Sequence, residues 1–288
     1  MKKILSLVLA ICMLCGAVAA FSACSSDEPK VKIGVQQGTT GEAFLIGNSD
    51  MGYEKYENIN AQSYENGALA VQDLIAGKID YVVIDNAVAA DLVKNNADVK
   101  MIDFALTEEN YGIGVDKNQK ELLNSINKIL EEKKSVIDAI YASYADVNDD
   151  NSAEWTGTKI TSAKLDLDKK DTQLVVATNA AFAPYEFKVG TDFAGIDMEI
   201  AKLIADELGL ELVIQHMDFD AVVTSIGKNG VDIALAGLTI NPAREKVVDF
   251  TNPYEVGVYQ VLIAKKDNTT FDACKNAEEV LAILKDLK

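Results

Sequence analysis

The feature that most constrains the fold of this chain is a pattern that occurs twice. Residues 66–85 and residues 218–237 align without a gap, and both show apolar helical spacing, a Gly-containing terminator and an Ile/Val-Asp step before an apolar strand. The strands, at 81–84 and 233–236, are nearly continuous apolar runs, which is typical of buried parallel strands. The pattern predicts two related α/β lobes, and convergence of unrelated βα segments is the alternative.

Other segments fit this division of the 288 residues into two α/β lobes. A strand at 32–36 leads into a Gly-Thr-Thr-Gly turn and then a helix. A second strand, at 174–178, precedes an amphipathic helix at 197–208 that Gly209 should end. Residues 120–146 are predicted to form one long helical stretch, and the polar residues that follow it predict a linker.

The N-terminus has the features of an export signal. Lys2 and Lys3 precede an apolar run over 4–20, and the small residues before Cys24 resemble a lipobox. We expect a signal peptide at 1–23, cleavage before Cys24 and lipidation of its thiol. Residues 24–30 would then form a polar tether at the extracytoplasmic face of the cell membrane. A transmembrane anchor is the alternative.

Composition argues against several classes of protein. A net charge of −18 disfavours nucleic acid as a partner, because phosphates need a basic surface. Cys12 and Cys15 would leave with the signal, so no disulfide framework or cysteine metal site is expected. His216 is the only histidine, and the motifs for zinc proteases, phosphate loops and dinucleotide binding are missing. We therefore expect binding without a cofactor or metal, although catalysis by carboxylates alone remains open.

Polar residues follow the predicted strands at positions where α/β sheets bind ligands. A Gly-Thr-Thr turn and Asp85 do so in one lobe, and Asn179 and the segment 237–244 do so in the other. Arg244 offers a planar fork to a carboxylate, and Asp85 offers a charge to an ammonium group. Together they suit a zwitterion, but Arg244 could also be solvated and Asp85 could simply cap a helix.

At these residues the chain resembles the polar amino-acid family of solute-binding proteins that serve ABC importers, which is family 3 of the bacterial extracellular solute-binding proteins. The resemblance is carried by VATNAAFAPYEF, GIDMEIAKLIADELG, MDFDAVVTSI and DIALAGLTINPAREKVVDFTNPY in one half of the chain. KIGVQQGTTGE, DLIAGKIDYVVIDN and YGIGVDKNQKELLNSINKIL carry it in the other half. The resemblance implies an α/β, two-lobed clamshell of the type II periplasmic-binding-protein kind.

The order of the segments departs from the family, whose members usually begin with the VATNAAFAPYEF lobe. Here the GTTGE lobe comes first, and residues 128–147 resemble the C-terminal helix of the family. We interpret this order as a circular permutation, and a fragment of a tandem array that exchanges lobes is the alternative. The predicted parts are one lobe at 31–106 plus 266–288, hinge crossings at 105–110 and 254–262, a second lobe at 111–147 plus 172–253, and a permutation linker at 148–171.

The resemblance also implies roles for individual residues. Phe182 and Phe219 would pack against the ligand's side chain, while Asn179 and Gln36 would read it. Two groups of residues, one from each lobe, would bind the α-amino and α-carboxylate groups: Gly237, Thr239 and Arg244, and Thr39, Thr40 and Asp85. Many members carry Asp where this chain has Asn179, so that position leaves the charge of the ligand open.

The function that follows is capture of a polar L-amino acid and its delivery to an ABC permease by a monomeric lipoprotein. The sequence leaves open whether this amino acid has a neutral or a basic side chain. An enzyme on the same fold, such as a cyclohexadienyl-dehydratase-like lyase, is one alternative, and Glu186 would be its candidate carboxylate. A ligand-sensing lipoprotein is another.

Overall fold

The computed structural model of the chain describes residues 30–145, 147, 152 and 154–288. The predicted signal at 1–23, lipidation of Cys24, nearly all of the tether and part of the linker at 148–171 lie outside these residues. Within the described ranges, no helix has the length and apolar character needed to cross a membrane.

The described residues form short strands and amphipathic helices that alternate along much of the chain. The strands are β1 Val31–Gln36, β2 Ile59–Tyr64, β3 Tyr81–Asp85, β4 Val99–Ile102, β5 Glu109–Tyr111, β6 Gly114–Val115, β7 Gln173–Thr178, β8 Ala181–Phe182, β9 Glu186–Val189, β10 Asp192–Ala194, β11 Glu211–His216, β12 Ile233–Ala234, β13 Asp249–Phe250, β14 Glu255–Val258 and β15 Gln260–Lys265. The helices are α1 Thr40–Ile46, α2 Gly67–Ile75, α3 Asn86–Asn95, α4 Lys120–Glu132, α5 Lys134–Ser143, α6 Ile196–Leu208, α7 Phe219–Ser225, α8 Pro242–Glu245 and α9 Ala277–Asp286, with a 3-10 helix at Leu167–Thr172.

Two five-stranded sheets of the same design divide the chain into a first and a second lobe. The first sheet has the order β2-β1-β3-β15-β4, and the second has the order β11-β7-β12-β6-β13. In each sheet one strand, β15 or β6, runs antiparallel to both of its neighbours. Each of these strands follows a crossing from the other lobe. The predicted fold class, a two-lobed α/β clamshell of type II, is confirmed, while the circular permutation stays a prediction.

The two crossings pair with each other. β5 and β14 form a separate antiparallel sheet, with Tyr111 opposite Glu255. β15 then enters the first sheet at Gln260, inside the range that the sequence assigned to the second crossing. The short β5–β14 sheet therefore lies between the two large sheets along both connections.

The first lobe buries apolar residues on both faces of its sheet. Along β3, Val82 and Ile84 belong to one core cluster and Tyr81 and Val83 to another, because successive side chains of a strand point to opposite faces. Helix α9 adds to the second of these clusters, which also contains Val31. Asn58 contacts both ends of this lobe, since its carbonyl accepts from the Val31 N–H at 3.2 Å and its side chain donates to the Leu287 carbonyl at 3.0 Å.

The second lobe differs from the sequence prediction in two places. The stretch predicted as one helix at 120–146 is two helices, α4 and α5, which Lys133 separates with φ −103° and ψ 14°. The strand predicted at 233–236 is only the two residues of β12. By contrast, α6 ends at Gly209 as predicted, in the left-handed conformation with φ 69°.

The part of the linker that the structure describes lies along the outer strand of the second sheet. Ala163 donates its N–H to the Leu212 carbonyl at 2.9 Å, and the Ser162 hydroxyl accepts from the Ile214 N–H at 2.8 Å. These bonds occupy main-chain groups of β11 that would otherwise form an open sheet edge.

Candidate functional site

Side chains from both lobes meet in one narrow cleft. Gln36 and Asp85 are the last residues of β1 and β3, so the cleft lies at the carboxyl ends of parallel strands. Nine of the ten ligand-binding residues predicted from the sequence line it, together with Ala236 and Gln260: Gln36, Thr39, Thr40, Asp85, Phe182, Phe219, Gly237, Thr239 and Arg244.

The first lobe contributes polar groups near the start of α1. Thr39 is the N-cap of this helix, and its hydroxyl donates to the Gln36 carbonyl at 2.7 Å. Thr40 Oγ1 and Gln36 Nε2 are buried and have no hydrogen-bond partner among the described residues. Gln260 Oε1 is also buried and has no hydrogen-bond partner among these residues. Buried polar atoms without partners are rare, so the cleft offers two donors and one acceptor to a polar molecule.

Arg244 is held from both lobes. It lies on α8, whose N-cap Asn241 accepts from the Arg244 N–H at 2.9 Å. Its guanidinium donates to the Thr239 carbonyl at 2.9 Å and, across the cleft, to the Gly38 carbonyl at 3.1 Å. The guanidinium carbon also lies 5.4 Å from the centre of the Phe219 ring. These contacts fix the plane of the guanidinium fork, which suits it to a carboxylate.

Asp85 provides the opposite charge in the first lobe. Its Oδ1 accepts from the Tyr111 hydroxyl at 2.5 Å, and it is also hydrogen-bonded to the side chain of Gln260, its partner across β3 and β15. Burial, with a smaller contribution from Glu109, raises the pKa of Asp85 to about 7. A cation beside Asp85 would restore the ionised form, so this carboxyl is suited to an ammonium group. It begins α3, but its side chain makes no capping hydrogen bond.

Gly237 lies against Phe182 in the second lobe. Its φ is 53°, and a Cβ atom at this position would lie 2.9 Å from the Phe182 ring, so only glycine fits. The Gly237 N–H donates to Asp197 Oδ2 at 2.8 Å, and the Tyr254 hydroxyl donates to the same oxygen at 2.9 Å. Asp197 is fully buried, and burial raises its pKa to about 7. This carboxyl therefore fixes the main chain behind the cleft.

Asn179 is the predicted ligand-binding residue that does not line the cleft. It is buried directly after β7, and its Nδ2 donates to the Met217 carbonyl at 2.8 Å. His216, at the end of β11, accepts the Ala180 N–H at 3.0 Å. Both side chains thus hold main-chain segments near the cleft, and the role of Asn179 in reading a ligand stays a prediction.

The lobes contact each other around the mouth of the cleft. Gln37 Nε2 donates to Asp220 Oδ2 at 3.0 Å, and Lys246 pairs with Asp50 at 2.5 Å. Gly38 has φ 77°, and a Cβ there would lie 2.9 Å from the Asp220 backbone. The turn at Gly38 and the start of α7 therefore approach closely enough to require glycine. A second crevice beside the cleft shares Phe219 and contains three carboxylates, those of Glu65, Asp218 and Asp220.

Sequence reasoning missed three residues around the cleft. Glu109 and Tyr111 lie on the buried side of β5, and Gln260 begins β15. Glu109 and Tyr111 are two positions apart beside a predicted hinge, so in a strand their side chains would lie on the same face. This spacing was the signal in the sequence that could have indicated them. Their partners, Thr239 and Asp85, are far away in the sequence, so the pairing itself could not be predicted.

Comparison with known proteins gives relatives for part of the chain. The arginine-binding extracellular protein ArtP of Bacillus subtilis is 36% identical over 96 residues, which are 33% of this chain and 37% of the relative. A probable histidine-binding protein of Neisseria gonorrhoeae is 36% identical over 131 residues, which are 42% of this chain and 46% of the relative. The chain thus spans less than half the length of these curated relatives.

Among solved structures, the arginine-bound domain 1 of TmArgBP is 31% identical and has a TM-score of 0.30, and the match covers 43% of this chain and all of that one. Residues 174–287 match the family model of the bacterial extracellular solute-binding proteins, family 3. They contain β7 to α9, and with them the cleft residues Phe182, Phe219, Gly237, Thr239 and Arg244. The similarity to family 3 of the bacterial extracellular solute-binding proteins therefore rests on this part of the chain, which is less than half of its 288 residues.

Proposed function

We propose that this protein is an extracytoplasmic solute-binding lipoprotein that captures a polar L-amino acid between its lobes and delivers it to an ABC importer. The observation that carries the proposal is the presence of Arg244 and Asp85 in the wall of one cleft. A cation and a carboxyl on opposite lobes match the carboxylate and the ammonium group of a zwitterion. Closing the lobes around such a ligand would be driven by its higher affinity for the closed state.

We propose further that the ligand has a basic side chain. Phe182 and Phe219 both line the cleft, where their rings suit an aliphatic or planar group, and Phe219 also borders the crevice with Glu65, Asp218 and Asp220. A side chain that extends past Phe219 would therefore meet carboxylates. The relatives named for arginine and for histidine support the same class of ligand.

A thermal-shift screen of the twenty L-amino acids, followed by calorimetry, tests both proposals. L-arginine should raise the melting temperature, while D-arginine should not. L-citrulline has the shape of arginine without its charge, and it should bind at least about tenfold more weakly if carboxylates receive the side chain. Equal affinity for citrulline would contradict a basic ligand, and no response to any amino acid would contradict the proposed function.

An enzyme remains the alternative that turnover would reveal. Its candidate carboxylate, Glu186, is fully buried and hydrogen-bonded to Asp197, and it is not among the residues that line the cleft. Binding without reaction is therefore the better proposal. Recovery of unchanged ligand after prolonged incubation would support it, and a new product would contradict it. A sensor would bind the same ligand but hand its closed form to a receptor instead of a permease.

The lipid anchor rests on the sequence around Cys24. Cys24→Ser should release the protein from membranes and leave ligand affinity unchanged, because the cleft is built from residues 36–260. A variant that stays bound to membranes would show that the signal is retained as an anchor.

We also propose that the chain is a circularly permuted monomer with the lobe ranges predicted from its sequence. Val31 and Leu287 both contact Asn58, which supports a direct join between the two ends of the first lobe. A rearranged chain in which 172–288 runs directly into 31–147 should fold and bind the ligand with unchanged affinity. Light scattering should give a monomer for both chains, whereas a dimer of the original chain would favour exchanged lobes.

A further inference from the structure

We propose that Glu109 is a positioning residue that orients the Thr239 hydroxyl to accept a hydrogen bond from the ligand's ammonium group. The inference rests on the proposed function and assigns a role to a residue outside the wall of the cleft. It begins with two side chains of β5 that point the same way. Glu109 and Tyr111 are both buried, and Asn110 between them is exposed.

Each of the two side chains forms a hydrogen bond with a residue of a different lobe. Tyr111 donates its hydroxyl to Asp85 Oδ1 in the first lobe, at 2.5 Å. Glu109 Oε2 accepts the Thr239 hydroxyl of the second lobe, also at 2.5 Å. Since Thr239 forms an isolated bridge with Tyr111, the crossing strand lies directly beside the cleft-lining segment. β5 therefore supports both halves of the site at once.

The chemistry of this contact fixes the polarity of Thr239. A carboxylate has only acceptor atoms, so the single hydroxyl proton of Thr239 is directed at Glu109. What remains on Oγ1 are lone pairs, and Thr239 lines the cleft. The hydroxyl can therefore accept from an ammonium group, but it has no proton to give to a carboxylate.

Neither partner is free to turn away. The Thr239 carbonyl accepts from Arg244 at 2.9 Å, which holds the residue's main chain. The other oxygen of Glu109 accepts the Thr107 hydroxyl at 2.6 Å, and Thr107 Oγ1 in turn accepts the Gln260 N–H at 2.9 Å. Both carboxylate oxygens are thus engaged, and the orientation of Thr239 is set by the hinge crossing.

Glu109 also changes the charge around the cleft. Asp85 and Glu109 both act electrostatically on Arg244, and Arg244 is the one cationic residue among the described residues that line the cleft. An α-amino acid is neutral as a zwitterion, so its binding leaves one negative charge. A basic ligand brings the positive charge that balances it, and removing Glu109 should reduce that preference.

The test compares L-arginine with 5-guanidinopentanoate, which lacks only the α-ammonium group. Calorimetry on the full chain should show that Glu109→Gln weakens L-arginine binding about tenfold or more, as expected for loss of a hydrogen bond to a charged group. Binding of 5-guanidinopentanoate should fall by less than about threefold. In a Thr239→Val background, which has no hydroxyl to orient, Glu109→Gln should have a smaller effect on L-arginine.

Asn110→Ala is the matched control, since it alters the exposed face of the same strand and should leave both affinities unchanged. If Glu109→Gln does not fold, Thr239→Val alone still tests the contact, because it should remove the same preference for the ammonium group. An equal loss for both probes, or no loss for either, would overturn the assignment. If the wild-type protein binds no L-amino acid at all, the proposed function itself fails, and that outcome is distinct from an unequal or missing effect of Glu109→Gln.

Discussion

Arg244→Ala is the substitution that most directly tests how the cleft binds a carboxylate. The guanidinium donates to carbonyls of Thr239 and Gly38 and covers one face of Phe219, so its position is set before the ligand arrives. Closure would remove water from the ligand's carboxylate. Truncation would then leave that charge buried and unpaired, which typically costs about 3–5 kcal/mol, or two to four decades in Kd.

Calorimetry with the best ligand from the amino-acid screen gives this difference directly. Lys246→Ala is the matched control: Lys246 is also a cation near α8, and it also bridges the lobes, through Asp50. Its side chain is 60% exposed, so its loss should change the binding free energy by no more than about 1 kcal/mol. Arg244→Lys should lie between the two, because it keeps the charge and loses the planar fork. Wild-type affinity in Arg244→Ala would refute the amino-acid assignment at its centre.

Three further predictions concern other parts of the site. Phe182→Ala should weaken binding less than Arg244→Ala in the same calorimetric assay, since it removes apolar contact and leaves no charge unpaired. The pKa of Asp85 is raised to about 7, and a bound ammonium group favours the ionised carboxylate. Ligand affinity should therefore fall by up to about tenfold per pH unit below pH 7 and level off above it. An affinity that titration calorimetry finds constant from about pH 5 to 8 would contradict this. The folded pKa of Asp197 is also raised to about 7, so the stability that its protonated form contributes is present at low pH and is lost as pH rises to 7. Asp197→Asn keeps an acceptor for Gly237 and should reduce the change of melting temperature across that range, while the contribution of Asp85 remains.

The fold was predictable because its signals are local. The apolar runs of β1, β3 and β7 and the spacing of α6 reflect burial of strands and of one helix face, and a window of a few residues contains that information. The antiparallel positions of β15 and β6 were not in such a window. They depend on where each chain enters a sheet after crossing from the other lobe.

In the second lobe, the local patterns predicted a longer helix and a longer strand than the structure contains. The residues from 120 to 146 have helical spacing throughout, but two helices form, which Lys133 separates and which both pack against α6. In the same way, the apolar run after Asp232 extends past β12, since only Ile233 and Ala234 find partners on both neighbouring strands. Tertiary packing decided both limits.

In the cleft, too, the sequence predicted some features and tertiary packing decided the others. Its wall residues follow strand ends or form short motifs, so sequence placed Gln36, Asp85, Thr239 and Arg244 at the carboxyl edge of two sheets. Which of these groups would be donors and which acceptors was decided by residues far along the chain. Glu109 accepts a hydrogen bond from the Thr239 hydroxyl, 130 positions further along the chain, and Asn179 donates its side-chain N–H to the Met217 carbonyl. A hydrogen bond depends on distances of about 3 Å between atoms, and only the packed lobes bring such distant residues that close.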